Sequence, residues 1–335
     1  MLNLKQRLAA LQLLKQYMLG DDEEWTTVQR TAGLQNAWFT PEFITTAIQN
    51  ICNHLLDEEK LSEWVALYKV SHESKTAINI GITMAGNVPL VGFHDFLCVF
   101  AAGHKQTIKL SAKDNILLKH LTDKLVQFES NAKETIEYRE ILKGCDAYIA
   151  TGSNNSARYF EYYFKKYPHI IRRNRTSVAI ITGSETNKDL ERLSDDVYMY
   201  FGLGCRNVTQ IFVPGNYDFT LLLDVFKKYD RLIENHKYKH NYDYNLAMHI
   251  INQKFYMTNG SVILSENASA FSPISQLHYR FYSNKDEIYQ SLNPEEIQCI
   301  AGTEKIPFGT TQQPGLTDYA DGIDTMRFLS DIAVN

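Results

Sequence analysis

Cys205 follows Gly202-Leu203-Gly204 and precedes Arg206-Asn207, just ahead of an apolar, β-type run at 208–213. A thiol is the most nucleophilic side chain at neutral pH once it ionises, so this spacing offers covalent catalysis on sulfur. The flanking glycines let backbone approach a substrate closely. A helix predicted over 188–201 would oppose ionisation, because its negative end faces the thiol. Arg206 or nearby N–H groups must outweigh it. The alternative is a buried structural cysteine, as Cys52, Cys98, Cys145 and Cys299 read. Gly152-Ser153 opens a predicted helix and could offer N–H groups to a phosphate, or merely cap that helix. Lys109, at a strand end, could meet a ribose or phosphate, or lie in solvent. Lys165, Lys166, His169, Arg172, Arg173 and Arg175 form a basic run that is either a solvated face or an anion site. His236 and His240 are four apart, but no H-E-x-x-H glutamate separates them and no metal is expected. His94-Asp95, inside an apolar helix, fits a core polar pair or a site-facing pair equally. No G-x-G-x-x-G fingerprint is present.

The elements that must position these residues alternate. Ile78, Ile80, Ile82 and Met84 predict a strand. A helix over 90–102 should stop at Gly103 in a left-handed cap. A strand over 106–110 follows, then a helix capped by Asp114 with Leu117, Leu118, Leu121, Leu125 and Phe128 on its apolar stripe. Strands over 147–151 and 177–182 flank a helix over 155–167. This alternation predicts α/β architecture with parallel, doubly wound sheets. Ligands should then meet the carboxyl ends of the strands, at Ala85-Gly86-Asn87, Lys109-Leu110-Ser111 and Thr151-Gly152-Ser153. Beyond Cys205, helices are expected at 219–229, 244–255 and 324–332, and strands at 261–264 and 277–282.

The chain has 335 residues, enough for two domains. Lys and Arg number 34 against 39 Asp and Glu, a net charge of −5, which argues against nucleic-acid binding through a general positive field. The longest apolar candidate, 88–102, is broken by His94 and Asp95, so no membrane span is expected. Five scattered cysteines make no disulfide framework and suit a reducing cytoplasm. Leu4, Leu8, Leu11, Leu14 and Met18 read as a docked amphipathic helix rather than a signal peptide.

At this point the residues resemble a family. Asn87-Val88-Pro89-Leu90, Ala101-Ala102-Gly103 and Ile108-Lys109 are similar to the aldehyde dehydrogenase pattern N-x-P-L … A-A-G-N-x-x-x-x-K. Thr151-Gly152-Ser153 resembles that superfamily's T-G-S turn, and Cys205 falls where its cysteine falls. The agreement runs over residues 77–214. The stretches G-N-V-P-L-V-G-F-H-D-F, F-G-L-G-C-R-N-V and L-T-D-Y-A-D-G-I-D-T-M resemble the LuxC-like acyl-CoA reductases. The resemblance implies an aldehyde-dehydrogenase-like fold: two doubly wound α/β domains with the active-site cleft between them. It implies a cofactor-binding domain over 1–174, rejoined by 311–335, and a catalytic domain over 175–310. Cys205 would be the acyl-accepting nucleophile and Asn87 an oxyanion donor beside the Cys205 backbone N–H. Lys109, Ser111, Thr151, Gly152 and Ser153 would hold a nicotinamide dinucleotide.

Departures from the pattern sharpen the expectation. Where aldehyde dehydrogenases carry the water-activating glutamate, this chain reads Ile171-Arg172-Arg173-Asn174-Arg175. The glutamate that holds the nicotinamide ribose would fall at Ser269. Ala112 and Lys113 follow the cofactor lysine where an acidic residue would disfavour a 2′-phosphate, which leans toward NADPH, with NADH the alternative. A positioned base speeds thioester hydrolysis by about 10²–10⁴-fold; a reductase has no use for one. The expectation is therefore an NADPH-dependent reductase that takes an acyl-CoA or other activated acyl donor to an aldehyde. The competing readings are a cysteine acyltransferase or thioesterase without redox activity, and a non-catalytic binding subunit. A homo-oligomer or an acyl-transfer partner subunit is compatible with the sequence.

Overall fold

The computed structural model describes residues 2–70 and 77–332. It divides into two compact units, Met1–Asn174 with Pro314–Asn335, and Arg175–Gln313. Residues 333–335 of the expected C-terminal return lie outside the described residues.

The first unit opens with four helices: α1 (Leu4–Leu19), α2 (Glu23–Gln35), α3 (Pro41–Asn50) and α4 (Glu58–Leu67). Each begins at a side chain that satisfies orphan N–H groups: Asn3, Asp22, Thr40 ahead of Pro41, and Asp57. Of the four, α1 is the one expected from the sequence. In α2 only Trp25 and Ala32 are buried, too narrow a stripe to read.

A five-stranded sheet follows, built from β1 (Asn79–Thr83), β2 (Lys105–Lys109), β3 (Ile136–Tyr138), β4 (Ala147–Thr151) and β5 (His169–Arg172). Its order is β3-β2-β1-β4-β5, and every pairing is parallel. The chain moves outward on one side of β1 and then on the other, which is the doubly wound arrangement. Helices α5 (Phe93–Ala102), α6 (Leu117–Phe128) and α7 (Asn154–Phe164) connect the strands. Eight of the ten residues of α5 are buried, so it is a core helix that is apolar nearly all round. Gly103 ends it in the left-handed conformation, φ 83°.

Three expectations are corrected here. The α5 helix starts at Phe93, because Leu90 adopts a left-handed φ of 57° that no continuing helix tolerates. Asp114 caps nothing: α6 begins at Leu117 after Ile116, without a side-chain cap, and Phe128 is 38% exposed rather than on the buried stripe. Nor is the basic run one solvated face, since β5 runs through it. Arg172 is buried and ion-paired with Asp95, and it also donates to the Thr325 hydroxyl at 2.8 Å. Arg173 pairs with Glu161, and Arg175 donates to the Pro294 and Ile297 carbonyls.

The Arg172 pairing also settles His94-Asp95 as a structural pair. Asp95 neutralises Arg172, while His94 lies 3.1 Å from the Leu316 carbonyl and stacks on Tyr319. Together they tie the C-terminal helix, Thr325–Ile332, onto α5. Asp95→Ala would leave a buried guanidinium without its counter-charge and should cost about 3–5 kcal/mol, read as a fall in urea midpoint.

The second unit holds a six-stranded sheet: β6 (Thr176–Ile180), β7 (Val208–Pro214), β8 (Met257–Thr258), β9 (Ile263–Glu266), β10 (Gln276–Tyr282) and β11 (Ile297–Ala301). The order is β11-β6-β7-β10-β9-β8, parallel except where β8 runs antiparallel to β9. Its helices are α8 (Asn187–Tyr198), α9 (Thr220–Val225), α10 (His236–Ile251) and α11 (Lys285–Ser291); α12 is the C-terminal helix of the first unit. The helix expected at 219–229 tightens into a 3₁₀ segment at Phe226. The α10 helix starts eight residues before its expected position, because its buried stripe is Tyr238, Tyr242, Asn245 and His249 rather than aliphatic. His236 and His240 sit exposed on α10, and no metal-ligand cluster exists among the described residues. No described helix is long and apolar enough to cross a membrane.

Candidate functional site

In the first unit, sheet register places the expected cofactor residues at one edge. Thr83, the last residue of β1, lies opposite Lys109, the last of β2. On the other side of β1, Thr83 pairs with Ala150, next to Thr151 at the end of β4. All three strands point the same way, so Asn87, Lys109, Ser111, Thr151, Gly152 and Ser153 follow strand ends that are in register.

The loops after β1 and β2 touch. The Met84 N–H donates to the Lys109 carbonyl at 3.0 Å. A Cβ on Gly86 would sit 2.5 Å from the Ser111 hydroxyl oxygen, so only glycine fits there. Ser111 also accepts from the Lys113 N–H, which makes it part of the loop's own framework. Leu90 closes the Asn87 turn with its N–H on the Asp114 carboxylate, 2.8 Å away. Its left-handed backbone costs about 1–2 kcal/mol, so this turn is held in place rather than relaxed. At β4, a Cβ on Gly152 would meet Ser156 at 2.9 Å and the Phe160 ring at 3.0 Å. The Ser153 hydroxyl accepts from the Ser156 N–H and caps α7. Lys109 makes no ion pair among the described residues.

Cys205 lies in the second unit, on a turn fixed from several directions. It is partly exposed, whereas Cys52, Cys98, Cys145 and Cys299 are buried. Burial pushes the Cys52 thiol up to about 12 and raises Cys98, Cys145 and Cys299 as well, which holds all four protonated. Ser177, on β6, donates its hydroxyl to the Cys205 carbonyl at 3.0 Å and lies 3.0 Å from the Cys299 sulfur. Arg206 bears on Cys299, whose thiol it shifts downward against burial.

Asn207 is the residue that sequence reasoning missed. Its side chain is fully buried. Its Oδ1 accepts from the Gly204 N–H at 2.8 Å, and its Nδ2 donates to the carbonyls of Asp196, Val197 and Met199. The α8 helix ends at Tyr198, not at the expected 201, and carbonyls at its end accept from the Asn207 amide. The only sequence signal was an amide three residues after Gly204 at a strand start. Between helix and cysteine, Tyr200, Phe201 and Gly202 are all left-handed. Tyr200 and Phe201 are buried, and that packing stabilises a backbone that is strained for L-residues.

Ser269, where the resemblance would put a ribose-binding glutamate, turns back on itself, bonding both the N–H and the carbonyl of Phe271. Asp196, pushed up to about 6 by burial, accepts from the Gly309 N–H and from the Thr311 N–H and hydroxyl, fixing the segment that leaves this unit.

No family model and no curated protein match this chain. Solved structures do. The chain is similar to aldehyde dehydrogenase 21 from Physcomitrella patens, in complex with the reaction product succinate, at 12% identity and a TM-score of 0.64. That match covers 90% of this chain and 74% of the other. It is similar to an aldehyde dehydrogenase from Bacillus cereus, in complex with NAD+, at 11% identity and a TM-score of 0.65, with coverage of 90% and 72%. An NADP-dependent enzyme from E. coli gives 10% identity, a TM-score of 0.65 and coverage of 90% and 73%. The chain therefore has the aldehyde-dehydrogenase fold.

Proposed function

We propose that this protein is a nicotinamide-dependent oxidoreductase that reduces an activated acyl thioester, such as an acyl-CoA, to an aldehyde through a thioacyl group on Cys205. The observation that carries this reading is the Cys205 turn. One partly exposed thiol, out of five, stands on a strained and fully braced backbone within an aldehyde-dehydrogenase fold. Strain maintained by packing is a mark of functional positions. The strand ends with Lys109, Gly86 and Gly152 support a dinucleotide site: a cation with no ion pair among the described residues, and two glycines that let the turns beside it pack closely. NADPH is the proposed cofactor and supplies a hydride when bound. Cys205 attacks the thioester carbonyl, the C–S bond to CoA breaks, and CoA leaves as a thiolate. Asn87 and the Cys205 N–H donate to the oxyanion at this step and again when the thioacyl carbonyl is reduced.

The stretch 171–175, where the resemblance would put a water-activating glutamate, holds no carboxylate, and its Arg172 is already engaged with Asp95. A second reading has one observation in its favour: Asp321, from the C-terminal segment, accepts from the Arg173 N–H at 3.3 Å and so brings a carboxylate to that stretch. A carboxylate acting on water would make the protein a thioesterase. Product analysis separates the two. Incubation with NADPH and short, medium and long acyl-CoA should consume NADPH and yield aldehyde. Free acid with NADPH untouched would select the thioesterase.

A further inference from the structure

The turn that carries Asn87 is clamped on both sides by the loop after β2. Gly86 rests against Ser111 on one side, and on the other the Leu90 N–H donates to Asp114. Asp114 is only 8% exposed, its own N–H donates to the Ser111 carbonyl at 3.1 Å, and its Oδ1 has no hydrogen-bond partner among the described residues. Burial pushes its carboxyl up to about 6, and the Leu90 N–H works against that shift. A carboxylate buried with one oxygen unsatisfied is costly to the fold. What it does in this unit is hold one N–H, that of a left-handed leucine three residues from Asn87.

We propose that Asp114 is a positioning residue: by holding the Leu90 N–H it fixes the 84–90 turn, and with it the Asn87 side chain, in the pose that oxyanion donation requires. The inference rests on the role given to Asn87 above. It adds that this role depends on a carboxylate that touches neither substrate nor cofactor.

Two variants of the full chain test it. Asp114→Leu keeps the branched outline and the number of heavy atoms, at a larger volume, and removes both the acceptor and the buried charge; Asp114→Asn keeps the size and an acceptor oxygen for Leu90. With acyl-CoA and NADPH, Asp114→Leu should lower kcat by about 10–100-fold, since small misplacements of reacting groups cost that much. The KM for NADPH should not move. Asp114→Asn should restore most of the rate. In an Asn87→Ala background, Asp114→Leu should cause no further loss, because the two changes remove one interaction. A parental kcat in Asp114→Leu, or losses that multiply in the double variant, overturns the proposal. A silent Asn87→Ala overturns the Asn87 reading along with it, whereas a large Asn87→Ala loss beside a parental Asp114→Leu removes only the clamp. Hydrogen exchange on the unaltered protein keeps the test open if Asp114→Leu does not fold. The Leu90 amide should exchange slowly, and rapid exchange there refutes the clamp.

Discussion

Cys205→Ala should reduce aldehyde formation by about 10⁴-fold or more, to the level of the uncatalysed reaction with reduced nicotinamide. On the proposed mechanism this is the largest effect a single side chain can have, because the acyl group would then have nowhere to reside during hydride arrival. No other thiol can substitute. Cys52, Cys98 and Cys145 are buried with raised pKa values, and Cys299, close to the same turn, is buried against Ser177. The check is direct. Acyl-CoA added without NADPH should give a mass increment of one acyl group on the peptide containing Cys205, with CoA released in equal amount. An unmodified Cys205 peptide after that incubation would remove the basis of the mechanism. Stability should be little altered, since the side chain is partly exposed and Asn207 and Ser177 brace the turn.

The second large effect is expected at Asn87. An oxyanion donor is worth about 2.7–4 kcal/mol, so Asn87→Ala should lower kcat by about 10²–10³-fold. If it serves both tetrahedral states, the variant slows CoA release in the first half-reaction and aldehyde release in the second. Rapid mixing with and without NADPH separates the two. A variant slowed only in cofactor binding would place Asn87 at the dinucleotide instead. The thermal midpoint should change little, because the fold of that turn is held at Gly86 and Leu90, on either side of the side chain.

The sequence reading reached different depths in different places. Strands β1, β2, β4, β6 and β7 were legible because alternating or continuous apolar runs are a local property of the chain. The left-handed Gly103 was legible for the same reason: a glycine directly after an apolar helix has one common use. Short strands were not legible. β3 has three residues, and β5 lies inside a cationic run whose charge hides its alternation. The α10 helix was misplaced because its buried face is built from tyrosine, asparagine and histidine, types that carry no hydropathy signal. In the candidate site, Cys205 stood out by its flanking glycines, whereas Asn207 carried no mark that separated it from any other asparagine.

The amino-acid order by itself determined the class of architecture and those strands and helices whose apolar residues are regularly spaced, because both follow from spacing along a few turns of chain; it also singled out Cys205 as the candidate nucleophile. What it left undecided was the partner of every buried charge. Asp114 read as a helix cap and became the acceptor for Leu90; Arg172 read as part of a solvated face or an anion site and became the counter-ion of Asp95. Those choices were made by sheet register and loop packing between segments 24 and 77 residues apart. A buried polar group takes whichever complementary group the folded chain brings within about 3 Å, and that proximity is created only by tertiary structure.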